Sequence, residues 1–124
     1  MKVLLVDDTR TLPSLLQVYL MGWQLEFHEA KDGVEALAKA RELQPGLIVT
    51  DVRMPGMDGF ELCAAIRADQ ALHAVPVVLL TSLNDDNSRR KGKLVGATAF
   101  LSKPVSVDEL RQTVGTLLRL PPRS

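Results

Sequence analysis

The sequence predicts a three-layer α/β sandwich: a five-stranded parallel sheet with five helices packed on its two faces. Three observations carry that expectation. Four short apolar runs each end in carboxylates, hydroxyls or a lysine, a fifth stretch alternates polar and apolar residues, and the intervals between them show helical spacing. Strand and helix therefore alternate five times, which calls for a parallel sheet with right-handed crossovers. The chain has 124 residues, enough for one domain, and its 46% hydrophobic and 24% charged residues supply a core. Such a composition excludes a disordered tail, a collagen-like repeat and a disulfide mini-scaffold.

The first strand is Val3 to Val6, apolar on both faces and closed by Asp7 and Asp8. Leu15, Leu16, Tyr19 and Leu20 then give the first helix its apolar stripe. Pro13 is compatible with this helix only in its first turn, with Thr11 as the expected cap, because an interior proline costs about 3 kcal/mol. The alternation from Gln24 to Glu29 fits a strand nearer the sheet edge. Val34, Leu37, Ala38 and Leu43 mark the second helix, stopped by Gln44-Pro45-Gly46. Leu47 to Thr50, ending in Asp51, form the third strand, and Phe60, Leu62, Cys63 and Ile66 the third helix. Val75 to Leu80, ending in Thr81 and Ser82, form the fourth. A helix between Asp85 and Val95 is weakly marked, since Gly92 interrupts it and its faces are poorly separated. Ala99 to Leu101, ending in Ser102 and Lys103, form the fifth strand. Ser106 and Glu109 make a capping box before Leu110, Val114, Leu117 and Leu118.

Charge narrows the choice of partners. Fifteen basic residues balance fifteen acidic ones, so no overall field draws the chain to nucleic acid or to an anionic membrane surface. The balance divides unevenly, with 6 basic and 10 acidic residues in 1–62 and 9 and 5 in 63–124. No apolar run is long enough to span a bilayer, and Asp7 and Asp8 arrive before a signal-peptide core develops. The single cysteine, Cys63, has neither a disulfide partner nor metal-site spacing, which fits a reducing cytoplasm and an inert core position. His28 and His73 lack partner spacing and are read as surface or loop residues.

In a parallel α/β sheet the working site lies beyond the carboxyl ends of the strands. Asp7, Asp8, Asp51, Thr81, Ser82 and Lys103 all stand there, contributed by four strands. Three converging carboxylates repel one another, so either one stays protonated or a cation neutralises them. Magnesium suits such a site, since it prefers oxygen ligands and is usually held by one or two carboxylates with phosphate oxygens. Lys103 and Thr81 suit the oxygens of a transferring phosphoryl group, and an aspartate can form an acyl phosphate with it.

Four segments together resemble the receiver domain of bacterial two-component response regulators. They are Asp7-Asp8, the stretch Asp51-Val52-Arg53-Met54-Pro55-Gly56-Met57-Asp58-Gly59, Thr81-Ser82 and Lys103-Pro104, each at the end of a predicted strand. The resemblance covers about residues 2 to 120, which sets a receiver domain at 1–120 and a tail or linker start at 121–124. It implies a flavodoxin-like, doubly wound strand order 2-1-3-4-5. It further implies that Asp51 is the phosphoacceptor for a sensor histidine kinase or phosphotransfer protein, and that Asp7, Asp8, Asp51 and the Arg53 backbone carbonyl hold magnesium. Thr81 and Lys103 would hold the phosphoryl oxygens, with a cis Lys103-Pro104 bond aiming the lysine. Phe100 matches the family's switch aromatic, although its position suits a plain core residue equally well.

The family pattern also places Arg53 and Leu83 beside the phosphoryl group, and neither side chain positions a hydrolytic water. A slowly hydrolysing phosphate is therefore expected. Arg89, Arg90, Lys91 and Lys93 crowd the fourth helix as either a solvated face or part of the helix 4/strand 5/helix 5 surface, which in this family meets a downstream protein or a second receiver. The expected function is a cytoplasmic, phosphorylation-dependent signalling switch, not an enzyme acting on an external metabolite, that binds neither nucleic acid nor membrane itself. An adaptor that works without phosphorylation is the alternative, and the full set of five site residues argues against it. A flavodoxin-type electron carrier would need a glycine- and hydroxyl-rich phosphate loop after the first strand, where this chain has Asp-Asp-Thr-Arg.

Overall fold

A computed structural model describes residues 1–8, 11–82 and 86–119, except for the side chains of residues 11–13 and 15. Strand and helix alternate throughout: β1 Lys2–Val6, α1 Thr11–Tyr19, β2 Glu26–Ala30, α2 Gly33–Leu43, β3 Leu47–Asp51, α3 Gly59–Ala68, β4 Val77–Thr81, α4 Asp86–Leu94, β5 Ala99–Ser102 and α5 Val107–Leu118. The five strands form one sheet in the order β2-β1-β3-β4-β5, and every adjacent pair is parallel. The expected class and strand order are both present.

Side-chain alternation divides the strands between two cores. Leu4, Val6, Ile48, Val77 and Leu79 join Ala36 and Ala40 of α2 and Leu62, Cys63 and Ile66 of α3. Val3, Leu5, Leu47, Val49, Val78, Leu80 and Leu101 join Leu16 of α1 and Leu110 and Val114 of α5. The central strands are buried on both faces, so their sequences read as unbroken apolar runs. At the sheet edge, β2 keeps Glu26 and Glu29 exposed.

The expected boundaries move at a few points for identifiable reasons. The fourth strand begins at Val77, two residues later than expected, because Pro76 has no N–H to give the ladder. The second runs Glu26–Ala30, since Val6 pairs with Ala30 at its far end. Thr11 is already the first helical residue of α1 and Pro13 falls in its first turn, as expected; the proposed capping contact of Thr11 lies outside the described side chains. Leu83 and the 121–124 tail also lie outside the described residues. The weakly marked fourth helix is present, and Gly92 is its buried residue. Ser106 caps α5 by accepting from Glu109 N at 3.0 Å.

Candidate functional site

The carboxyl end of the sheet is brought to one level by register. Val6 pairs with Thr50, Asp51 with Leu80, and Thr81 with Ser102. Asp7 follows β1 directly and donates its N–H to Ala30 O at 3.0 Å, while Val52 N donates to Leu80 O at 3.0 Å and Lys103 N to Thr81 O at 2.9 Å. These bonds carry the sheet ladder one residue past the strands and fix where the site residues begin.

Asp7 and Asp51 are buried, at 5% and 8% exposure, and Asp8 is exposed. One carboxylate oxygen from each lies within 4.8 Å of the other two. Lys103 Nζ stands 2.9 Å from Asp51 Oδ2, and the Lys103-Pro104 bond is cis. Thr81 is buried beside them in the neighbouring strand. One ammonium against three carboxylates leaves an excess of negative charge, and the donor set is entirely oxygen. Both features fit a hard divalent cation such as magnesium.

The loop after β3 is held by contacts that the sequence reading did not single out. Asp58 caps α3: its side chain accepts from Glu61 N at 2.8 Å, and Glu61 returns a carboxylate to Asp58 N at 3.1 Å. The pattern Asp-x-x-Glu before an apolar run was the available signal. Gly59 N donates to Val52 O at 2.9 Å, and a Cβ at residue 59 would stand only 2.5 Å from Asp51 O. Helix α3 therefore abuts the backbone of the candidate acceptor itself. The hydroxyl of Thr50, also buried, donates to the same Asp51 carbonyl at 2.9 Å.

Beside the carboxylates a cleft of about 640 Å³ opens between this loop and α4, lined by Asp8, Arg53, Met54, Asn87 and Lys91 among others. Lys91 Nζ lies 4.9 Å from the centre of the Phe60 ring. Phe100 is half-buried in β5, packed toward Gly92, with the Arg89 guanidinium 5.5 Å from its ring centre. A second groove, of about 670 Å³, runs along α4 and β5 past Arg89, Arg90, Lys93 and Phe100. Cys63 is buried and its thiol is pushed up by that burial. His28 pairs with Glu26 at 2.5 Å on the exposed edge strand, at the level of Leu4 in β1.

A parallel five-stranded sheet in this order, with an acidic cluster and a lysine at its carboxyl edge, defines a doubly wound α/β domain of the flavodoxin-like class with an acidic site at the strand ends. Residues 3–115 match the response regulator receiver domain family, and the chain belongs to it. It is 34% identical over 110 residues to the protein PilG of Pseudomonas aeruginosa, covering 89% of this chain and 82% of that protein. It is 39% identical over 118 residues to the response regulator PleD of Caulobacter vibrioides, covering 95% of this chain but only 26% of PleD. Against the transcriptional regulatory protein ResD of Bacillus subtilis the identity is 37%, over 95% of this chain and 48% of ResD. This chain thus spans half or less of the length of several curated relatives. The chemotaxis protein CheY4 of Vibrio cholerae superposes with a TM-score of 0.86 at 36% identity, over 94% of this chain and 97% of CheY4. The receiver domain of the Francisella response regulator 1452 does so with a TM-score of 0.86 at 30% identity, over 95% and 96%. The protein is a receiver domain of two-component signalling. Among the described residues, no helix is long and apolar enough to cross a membrane.

Proposed function

We propose that this receiver is a phosphorylation switch whose acceptor is Asp51. The observation that carries the reading is the Asp51 carboxylate, 2.9 Å from Lys103 Nζ and grouped with Asp7 and Asp8 within 4.8 Å. An oxygen of Asp51 attacks the phosphorus of a phosphohistidine on a sensor kinase or phosphotransfer protein. The new O–P bond forms as the P–N bond breaks, and the imidazole leaves and takes a proton from water. Asp7, Asp8, Asp51 and the Arg53 carbonyl would hold magnesium, which when bound would supply positive charge against the phosphoryl oxygens.

The chain's own residues do the rest. Lys103 transfers its contact from the carboxylate to a phosphoryl oxygen, and the Thr81 hydroxyl donates to another. Thr81 leads through its β5 neighbour Ser102 toward Phe100, and inward rotation of Phe100 alters the face made by α4, β5 and α5. That face carries Arg89, Arg90 and Lys93 and would meet an acidic downstream protein or a second receiver. Exposed charge pairs there are worth about 0–1 kcal/mol each, so this docking is salt-sensitive. Arg53 beside the site holds no general base for water, and the aspartyl phosphate is accordingly long-lived. The domain works in the cytoplasm and contacts no nucleic acid itself.

Incubation with magnesium and a small phosphodonor tests the assignment. The unmodified protein gains one base-labile, hydroxylamine-sensitive phosphoryl group that Asp51→Ala does not gain. A phosphorylated Asp51→Ala refutes the acceptor, and loss of the group within seconds refutes the slow hydrolysis.

A further inference from the structure

Arg67 lies in the last turn of α3, near the amino ends of the strands and away from the carboxylate cluster. Its guanidinium donates to four acceptors: Nε to Gly96 O at 2.9 Å, Nη1 to Val75 O at 2.6 Å and His73 O at 3.2 Å, and Nη2 to Thr98 Oγ1 at 3.1 Å. Thr98 Oγ1 in turn accepts from Val77 N, the first residue of β4, at 3.0 Å. One planar fork thus joins the segment before β4, the start of β4 and the turn from α4 into β5. A lysine, with a single point charge, has no equivalent reach.

Gly96 is fitted to this contact. Its φ of +87° is one that side chains rarely adopt, and a Cβ there would lie 3.0 Å from Arg67 Cγ. One turn earlier in α3, Cys63 Sγ donates to Val95 O at 3.4 Å. The C-terminal end of α4 is therefore tied to α3 by two side chains acting on its backbone. The rest of α4 is held differently. Gly92 is its buried residue among those described, and Lys91 and Arg89 rest on the Phe60 and Phe100 rings. Such contacts permit sliding where backbone bonds do not.

We infer that Arg67 is a positioning residue that pins the end of α4 and the starts of β4 and β5, so that a change at Asp51 reaches the partner face as a swing of α4 about Gly96. The pinning stands on the contacts alone; its coupling to Asp51 rests on the phosphoacceptor reading.

Amide hydrogen exchange, with and without magnesium and beryllofluoride, tests both parts. The reporters are the Val95, Gly96 and Ala97 amides, each bonded back to α4 carbonyls. In Arg67→Met, without beryllofluoride, these amides exchange faster by about tenfold or more while β1 and α2 keep their rates. Arg67→Lys gives an intermediate rate, and Thr98→Val loosens the same turn with the charge left in place. In the unmodified protein beryllofluoride changes exchange in residues 86–92 but not 95–97; in Arg67→Met the change spreads through 95–97. Unchanged rates at 95–97, or equal acceleration in β1 and α2, overturn the pinning. If Arg67→Met does not fold, Arg67→Lys and Thr98→Val decide by the same pattern. Failure of the unmodified protein to respond to beryllofluoride overturns the phosphoacceptor reading and the coupling, while the rates without beryllofluoride still decide the pinning.

Discussion

Replacing Gly59 with alanine sets stability against site geometry in one atom. The added Cβ would stand 2.5 Å from Asp51 O and 2.8 Å from Val52 Cα, roughly 1 Å short of ordinary contact. Both atoms belong to the backbone, and Asp51 O also accepts from the Thr50 hydroxyl, so neither can step aside without moving the end of β3. Overpacking of this kind costs about 1–3 kcal/mol. Alanine recovers part of that through its better helix propensity, about 0.5–1 kcal/mol. The net expectation is a loss of about 1–2 kcal/mol, or roughly 4–8 °C in Tm for a domain of this size. Thermal unfolding followed by circular dichroism measures the loss. Because the displaced backbone carries Asp51, beryllofluoride affinity should weaken in the same variant by a larger factor than in a core variant of equal Tm, such as Ile66→Val. A Gly59→Ala protein with unchanged Tm and unchanged affinity would show that α3 does not bear on the acceptor as argued.

Three further outcomes are expected. The Arg41 guanidinium, 2.8 Å from Asp69, together with Ala71 N, holds the Asp69 carboxyl below its usual value near 3.8. A depressed folded pKa stabilises above the unfolded value and loses that contribution as pH falls through the folded one. Asp69→Asn should therefore lower the urea midpoint at neutral pH and leave it nearly unchanged around pH 2. Magnesium at ten times its Kd should stabilise the unmodified protein by about 1.4 kcal/mol in thermal unfolding, and Asp8→Asn should remove most of that gain. Cys63, buried with its thiol pushed up, should react with a thiol reagent only as fast as the chain unfolds; rapid labelling of the native protein would place it outside the core.

The sheet was legible in the sequence because its central strands are buried on both faces and each ends abruptly in a polar residue. The meeting of the candidate site's residues was legible for the same reason: in a parallel sheet, strand ends share an edge, so Asp7, Asp8, Asp51, Thr81 and Lys103 had to gather wherever the strands stopped. Boundaries were less clear where the signal was a missing donor, as at Pro76, which counts as apolar and accepts from Ile48 N but has no N–H to give the ladder. The contacts that hold the site left fainter traces. Asp58 and Glu61 were visible as a capping pattern, but Gly59 against Asp51 O and Arg67 against Gly96 and Thr98 depend on how helices settle on the sheet. A residue spacing does not encode that. The fourth helix reads poorly for a related reason, since it packs through a glycine and two cations on aromatic rings in place of an apolar stripe.

Borohydride trapping of the phosphorylated protein bears most directly on Asp51. An acyl phosphate is reduced to the alcohol, so the account predicts homoserine at position 51 after treatment with magnesium and a phosphodonor, with aspartate intact at positions 7 and 8. Homoserine at position 7 or 8, or phosphate on Thr81 or Ser82 with position 51 unchanged, would contradict it.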